Sequence, residues 1–232
     1  MKRLVVLNAS SGRMASAVTR HRMREHLHQW GQVVSPTTWL EARSRVREFL
    51  RSGGEQVVVL GGDGTLNSVV NGFWDEDGRA LNPQAALSVT RLGTGCDYFR
   101  TVASSYGNED WWSWIDSPGR VAVDVGLIEF GSSQIEGAAA PLEETGSPLE
   151  RRFFINVGSV GFNARVARLK GENPKWLPHQ LAYAWPTVRE MLHREPVAAK
   201  IEGGGQAWEG QLLALTLALG RFAGGGMKFG RH

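Results

Sequence analysis

A glycine-rich turn that contains one carboxylate lies near the start of the chain's second quarter. The apolar run Val57–Leu60 is followed directly by Gly61-Gly62-Asp63-Gly64-Thr65. Glycine lets the backbone approach a ligand closely, and the unpaired N–H groups at the start of a helix bind anions such as phosphate. A carboxylate among those N–H groups would repel a bare phosphate, whereas Mg²⁺ carried by a nucleotide would bridge them. The turn therefore predicts a nucleotide bound together with its metal.

Asp63 also has a purely structural interpretation. Asp, Thr and Asn are favoured at the start of a helix because their side chains accept hydrogen bonds from the first backbone N–H groups. The sequence leaves both interpretations open. Two better-known phosphate loops do not fit: no Gly-Lys-Ser/Thr follows the turn, and Gly62-x-Gly64-x-x-Asn67 lacks the third glycine of the dinucleotide fingerprint.

A second glycine turn follows the next apolar run. Residues 85–90 are predicted to be a buried strand, and it leads into Arg91-Leu92-Gly93-Thr94-Gly95-Cys96-Asp97. Open α/β sheets bind ligands at the carboxyl ends of their strands. We therefore expect the two turns to converge on one crevice.

Alternating apolar runs and helical patterns predict the fold that positions these turns. The predicted strands are 4–7, 33–34, 57–60 and 85–90, and the predicted helices are 14–30, 40–51 and the segment in which Leu66, Val69, Val70 and Phe73 share one face. This alternation indicates an α/β fold with a doubly wound parallel sheet. We expect an α/β domain in residues 1–118 and a mostly antiparallel domain in residues 119–232, which the family resemblance described below implies to be a β-sandwich.

Composition narrows the setting in which the protein works. The chain has 232 residues, a formal net charge of +3 and a single cysteine, so an internal disulfide is impossible and a reducing compartment fits. The first residues are too short an apolar run for a signal peptide, and no stretch is long enough to span a bilayer. We expect a cytoplasmic protein with no transmembrane segment and no nucleic-acid partner; the family resemblance described below implies that it is peripheral to a membrane.

Three tryptophans lie close together in residues 108–116. Trp111, Trp112 and Trp114 could form an anchor at a membrane–water boundary, which tryptophan prefers. They could instead pack between the two predicted domains, because aromatic side chains also fill cores. We favour packing.

The two glycine turns together resemble a known family. Gly61-Gly62-Asp63-Gly64-Thr65-x-Asn67 followed by Leu92-Gly93-Thr94-Gly95-x-Asp97-Tyr98-Phe99 is similar to the catalytic domain of diacylglycerol kinases, a family that includes sphingosine kinases and bacterial lipid kinases. Asn8-Ala9-Ser10-Ser11-Gly12, Thr38-Trp39 and Gly220–Met227 resemble other blocks of that family, so the likeness runs along essentially the whole chain.

The resemblance implies a set of functional residues. ATP would lie between an α/β domain and a β-sandwich domain, in contact with Thr38, Gly62, Asp63, Gly64, Thr65, Asn67, Gly93 and Thr94. Asp63 and Asp97 would take part in catalysis, and Asp124 would be a ligand of Mg²⁺. Lys175 is either a phosphate contact or a solvated surface lysine.

The chain departs from the family pattern at several positions. Cys96 stands where the family usually has Asn, Arg91 where it has Pro, and Ser68 where it has Glu. Family members continue beyond the triple-glycine turn with metal ligands and a general base, whereas this chain ends at His232. We therefore expect an incomplete β-sandwich whose unpaired strand edges make the chain a homodimer, poorly soluble, or incompletely ordered after about Gly203.

Three functions are consistent with these observations. The first is an ATP-dependent lipid kinase that transfers the γ-phosphate to a lipid hydroxyl, such as that of diacylglycerol, at a membrane surface. The second is a nucleotide-binding protein of the same fold with impaired catalysis. The third is an NAD kinase, which shares the Gly-Gly-Asp-Gly turn but fits the second turn poorly.

Overall fold

The computed structural model describes residues 1–9, 27, 29–93, 95–106, 113–117, 119–131, 150–166 and 196–229. Contacts divide the chain into two compact units. The first contains Met1–Phe130, Leu149–Asn156 and Ala218–His232, and the second contains Gly131–Pro148 and Val157–Leu217. The domain boundary near residue 118 stays a prediction.

A four-stranded parallel sheet forms the centre of the first unit. Its strands are β1 (Arg3–Leu7), β2 (Gln32–Val34), β3 (Gln56–Leu60) and β4 (Ala86–Val89), in the order β2-β1-β3-β4. Each neighbouring pair is parallel. Every residue of β3 is buried, as its unbroken apolar run predicts for the interior of a parallel sheet. The predicted fold class is confirmed.

Four described helices accompany this sheet: α1 (Trp39–Arg51), α2 (Asp63–Val70), α3 (Asp97–Tyr106) and α4 (Ser113–Asp116). Helices α1 and α2 bury one face each, through residues spaced three or four apart such as Val46 and Leu50 or Leu66 and Val70. Gly72 allows them to approach closely, since a Cβ there would lie 2.6 Å from the Cβ of Val46.

Two short antiparallel pairs complete the first unit. Strand β5 (Gly126–Phe130) pairs with β6 (Glu150–Phe154), and β11 (Phe222–Ala223) pairs with β12 (Met227–Lys228). Asn71, at the end of α2, fastens β6 to the core: its side chain donates to the Phe153 carbonyl and accepts from the Phe153 N–H, both at 2.9 Å. The Phe153 ring stacks on Trp74 at 4.5 Å between ring centroids.

The second unit contains the remaining described strands. They are β7 (Val157–Gly161), β8 (Val197–Gly203), β9 (Gln206–Leu212) and β10 (Ala214–Ala218). Strands β8 and β9 form an antiparallel hairpin, and β7 pairs with β10. Gly204 and Gly205 connect the hairpin with positive φ at both positions, which a two-residue turn between right-twisted strands requires. The mostly antiparallel character predicted for the later part of the chain is confirmed.

Candidate functional site

The carboxyl ends of three neighbouring strands meet in one cluster of turns. The Asn8 side chain, just after β1, donates to the hydroxyl of Thr65 in the first glycine turn at 2.9 Å. The second glycine turn packs directly on the first, because a Cβ at Gly93 would collide with the Cα of Gly62. The two turns thus converge at this edge of the sheet, as the sequence predicted, although Thr94 itself lies outside the described residues.

Asp63 joins the two glycine turns through its carboxylate. One oxygen accepts from the backbone N–H of Asp97 and the other from that of Tyr98, both at 3.1 Å. These are the first N–H groups of α3, which no intrahelical carbonyl can reach. Asp63 is therefore a cap, but of the neighbouring helix rather than of its own. It also has a negative charge suited to the positive end of the α3 dipole.

The start of α2 has no such cap. Its N-cap residue is Gly62, which provides no side-chain hydrogen bond. Gly64, in the first turn, has no non-neighbouring atom within 4 Å of the position that a Cβ would occupy. The first turn of α2 therefore has backbone N–H groups that no N-cap side chain satisfies.

Asp97 connects the second glycine turn to the triple-glycine turn, Gly224-Gly225-Gly226. Only 5% of Asp97 is exposed. Its carboxylate accepts from the Gly225 N–H at 2.8 Å and from the Arg100 guanidinium at 3.2 Å. All three glycines have positive φ, which lets the turn wrap tightly around this carboxylate.

Arg100 and Thr101 belong to this site, although we did not predict them from the sequence. The Thr101 hydroxyl donates to the Asp97 carbonyl at 3.2 Å and accepts from the Arg221 N–H at 3.1 Å. The ion pair between Asp97 and Arg100 could have been predicted, because residues three apart on a helix lie on the same face. No local signal indicates the bonds to residues 221 and 225.

Cys96 has an unusual backbone conformation. Of the described residues other than glycine, it is the one with a positive φ, at 51°. Its buried thiol contacts the Gly93 carbonyl at 2.9 Å. Asn and Asp tolerate this left-handed region better than other residues with a Cβ. The family's usual Asn at this position thus has a conformational reason, and cysteine introduces strain there.

A small cavity lies beneath the two turns. The cavity is lined by Gly61, Asp63, Thr90, Cys96 and Phe99. The volume open to the centre of a water molecule is about 10 Å³. That is room for about one water, far less than a nucleotide needs. A nucleotide held by these turns would therefore lie on their solvent side.

The other predicted site residues have separate surroundings. The Thr38 hydroxyl caps α1 by accepting from the Glu41 N–H at 3.1 Å. Asn67 and Asp124 are exposed, and Lys175 lies outside the described residues. Within the part of the chain that the structure describes, no three His, Cys, Asp or Glu side chains are grouped as a metal site would require.

The fold and the paired glycine turns define an α/β protein in which two glycine turns meet at one edge of a parallel sheet. Residues 2–128 match the diacylglycerol kinase catalytic domain, and the chain belongs to that family.

Curated relatives agree with this assignment. The chain is 27% identical over 186 residues to a Pseudomonas fluorescens protein named "probable lipid kinase YegS-like", covering 80% of this chain and 52% of the relative. It is 30% identical over 191 residues to a protein of the same name from Xanthomonas oryzae pv. oryzae, covering 82% of this chain and 56% of the relative. The chain thus spans about half the length of these relatives.

A solved structure shows the same fold. The crystal structure of a diacylglycerol kinase from Bacillus anthracis superposes with a TM-score of 0.59 at 20% identity, covering 97% of this chain and 66% of that one. In this protein, the described helices include none with the length and apolar character needed to cross a bilayer.

Proposed function

We propose that this protein is an ATP-dependent lipid kinase that transfers the γ-phosphate to a lipid hydroxyl such as that of diacylglycerol. The observation that carries the proposal is the Asp63 carboxylate, which caps α3 and so packs the second glycine turn against the first. Two neighbouring turns with open space beside the uncapped start of α2 suit a polyphosphate. Family membership supports a lipid acceptor.

The chain's own residues would act mainly by positioning. When bound, Mg²⁺–ATP supplies the phosphoryl group and neutralises charge on its phosphates. The N–H groups of Gly62, Gly64 and Thr65 would hold those phosphates, and Asp63 and Asp97 would fix the surrounding turns. Asp124 is exposed and remains the proposed metal ligand, because Mg²⁺ keeps several waters and needs few carboxylates. We assign no general base among the described residues.

A nucleotide-binding protein with impaired catalysis is the second candidate. It is favoured by one observation: both carboxylates proposed for catalysis already accept hydrogen bonds, Asp63 from two backbone N–H groups and Asp97 from Gly225 and Arg100. Such a protein would bind ATP and form no lipid product. A homodimer and peripheral membrane association stay predictions; light scattering checks the first.

The substitution Gly64→Ala tests the nucleotide site without damaging the fold. Alanine stabilises a helix relative to glycine by about 0.5–1 kcal/mol, and no non-neighbouring protein atom would contact the new methyl group within 4 Å. The same methyl group would crowd the proposed phosphate position. We therefore expect a higher urea midpoint together with at least roughly tenfold weaker ATP binding, a loss of about 1.4 kcal/mol.

The assay measures γ-labelled phosphate transfer to diacylglycerol in mixed micelles, beside direct ATP binding. The matched control is Gly203→Ala in the second unit, where a Cβ also meets no atom within 4 Å. Labelled phosphatidate that falls in Gly64→Ala and not in Gly203→Ala supports the kinase. ATP binding without product favours the second candidate, and phosphorylated NAD in place of lipid product contradicts both.

A further inference from the structure

One side of helix α1 carries an arginine ladder next to exposed apolar residues. Arg43, Arg47 and Arg51 are spaced four residues apart, so each is turned by only about 40° from the one before it. Trp39 begins the same row, and Leu40 lies within the same sector. Trp39 is 42% exposed and Leu40 is 55% exposed. Large apolar side chains at the surface beside a row of cations are typical of a surface that binds membranes.

A further arginine, from β6, extends this surface. The guanidinium of Arg152 lies over the Trp39 ring, 4.1 Å from its centroid. Such a cation–π contact holds the indole at the surface beside a positive charge. We call the six residues Trp39, Leu40, Arg43, Arg47, Arg51 and Arg152 the α1 stripe.

The stripe keeps a surplus of positive charge. Glu76 binds both Arg47 and Arg51, and Glu150 binds Arg152 at 2.9 Å. Two glutamates thus face four arginines. Burial lowers the pKa of Arg43, and the guanidinium charges of Arg47 and Arg152 lower it further, so positive neighbours outweigh the nearby acids at this position.

The other side of the same helix has a different character. The Glu41 carboxylate accepts a hydrogen bond from the Thr37 N–H, and Arg45 forms an ion pair with Glu48 at 3.7 Å. The helix therefore concentrates three of its four arginines and its exposed apolar residues on one side and its acids on the other. A net charge of +3 for the whole chain does not reveal this separation.

The position of the stripe relates it to the nucleotide edge. Trp39 follows the carboxyl end of β2 by a few residues, and the glycine turns follow the carboxyl ends of β3 and β4 in the same parallel sheet. Trp39 therefore lies toward the edge of the sheet that carries the proposed phosphate site.

We propose that the α1 stripe is the surface on which this protein docks onto an anionic lipid bilayer. Trp39 and Leu40 enter the interface, where tryptophan is favoured. Arg51 and Arg152, whose side chains are 54% and 33% exposed, approach the lipid phosphates, whereas Arg47 is only 11% exposed and supports the stripe from below. The purpose of docking rests on the proposed function, since it brings the nucleotide edge to the lipid hydroxyl. The docking itself requires neither ATP nor turnover.

Vesicle flotation of the full 232-residue chain, without nucleotide, tests the proposal. The vesicles contain phosphatidylcholine alone or phosphatidylcholine with phosphatidylglycerol. We expect binding only with phosphatidylglycerol, and weaker binding at high salt. Arg51→Gln should lower the partition coefficient about fivefold, the effect of one arginine near an anionic surface. Trp39→Ala should lower it by roughly threefold or more.

Two matched controls make these changes specific. Arg45→Gln removes an arginine that is 52% exposed, against 54% for Arg51, from the other side of the same helix. Trp208→Ala removes a tryptophan that is 46% exposed in the second unit. Both should bind vesicles as the unchanged protein does. Equal losses in Arg45→Gln and Arg51→Gln, or no binding to anionic vesicles, would overturn the proposal.

A separate measurement keeps this proposal apart from the proposed function. ATP affinity is measured for the unchanged protein and for Arg51→Gln, which should be equal because Arg51 lies outside the nucleotide turns. ATP binding and lipid phosphorylation in micelles without vesicle binding would refute docking and leave the kinase intact. If the α1 stripe instead packs against a second copy of the chain, Trp39→Ala should dissociate a dimer in the absence of vesicles. That outcome would also refute docking.

Discussion

Asp63 uses both of its carboxylate oxygens to hold the backbone of a neighbouring helix. The N–H groups of Asp97 and Tyr98 compensate its charge, so an aspartate among these glycines does not by itself require a metal. Asp97 has a similar part toward Gly225. In this structure the two acidic residues of the turns position backbone, and any role toward Mg²⁺ would be additional.

The strain at Cys96 leads to a prediction about stability. Asn adopts positive φ at lower cost than Cys and differs little in volume, so Cys96→Asn should raise the free energy of unfolding by about 0.5–1 kcal/mol. Urea denaturation measures the change. Cys96→Ser is the matched control, since it alters the thiol without relieving the backbone, and an equal gain in both variants would refute the explanation.

Among the elements, helix α2 has two functional ends. Its first residues present N–H groups beside the glycine turns, and Asn71 at its end binds both backbone groups of Phe153. The β5–β6 pair is therefore tied to the core of the parallel sheet by a side chain at the end of the helix that follows the first glycine turn. Two-stranded pairs are marginal alone, and this attachment supports the pair.

Removing the Asn71 side chain should be costly. Asn71→Ala leaves the N–H and carbonyl of Phe153 without partners in a buried position, so we expect a loss of about 2–4 kcal/mol in unfolding free energy. Urea denaturation reads this loss. Asn67→Ala, one turn earlier and exposed, should change stability by less than about 0.5 kcal/mol. Similar losses in the two variants would contradict the bridging role.

The turn after α2 predicts a pH dependence. The Asp75 carboxylate accepts from the N–H groups of Arg79 at 2.8 Å and Asp77 at 2.9 Å, and these bonds, that to Arg79 foremost, lower the pKa of Asp75. Because the pKa of Asp75 is lower in the folded state, its charge contributes fully to the free energy of unfolding above the unfolded pKa of about 3.9. This contribution is lost as the pH falls through the folded pKa.

The replacement Asp75→Asn isolates this contribution. The variant should be less stable than the unchanged protein at neutral pH, and the difference should shrink as the pH falls below about 3.9. Urea midpoints measured across that range give the comparison. A stability difference that stays constant with pH would show that Asp75 does not act through its charge.

At the scale of the whole molecule, the distribution of charge is more informative than its total. A net charge of +3 on 232 residues is small, yet helix α1 gathers three arginines on one side. Long-range attraction to an anionic surface depends on such local accumulation, because charges more than about 10 Å apart are screened in physiological salt. The length of the match is also a property of the whole molecule: the chain spans about half the length of its curated relatives.

Nucleotide binding should be visible in the stability of the whole chain. A ligand that binds only the folded protein stabilises it by about 2.7 kcal/mol at one hundred times its dissociation constant. We expect Mg²⁺–ATP to raise the melting temperature in a concentration-dependent way, measured by calorimetry. Gly64→Ala should show a much smaller rise at the same concentration. The same rise in both proteins would place the nucleotide away from α2.

Sequence reasoning recovered much of the fold, and the residues it assigned to the site stay predictions. The strands of the parallel sheet, helix α1 and the two glycine turns follow from apolar periodicity and glycine spacing, which are local properties. The family pattern indicated Asp63 and Asp97 as important, but not what they contact. Arg100, Thr101 and Asn71 were missed, because their partners are chosen by packing rather than by neighbours in sequence.

The sequence by itself determined where backbone could turn sharply and which faces had to be buried, since both depend on residues within a few positions of one another. Tertiary structure alone decided which groups meet across long separations: Asp63 with residues 34 and 35 positions away, Asn71 with one 82 away, and Asp97 with one 128 away. Hydrogen bonds between such distant groups form only after the sheet has brought the strand ends together. Their partners therefore leave no periodic trace in the sequence.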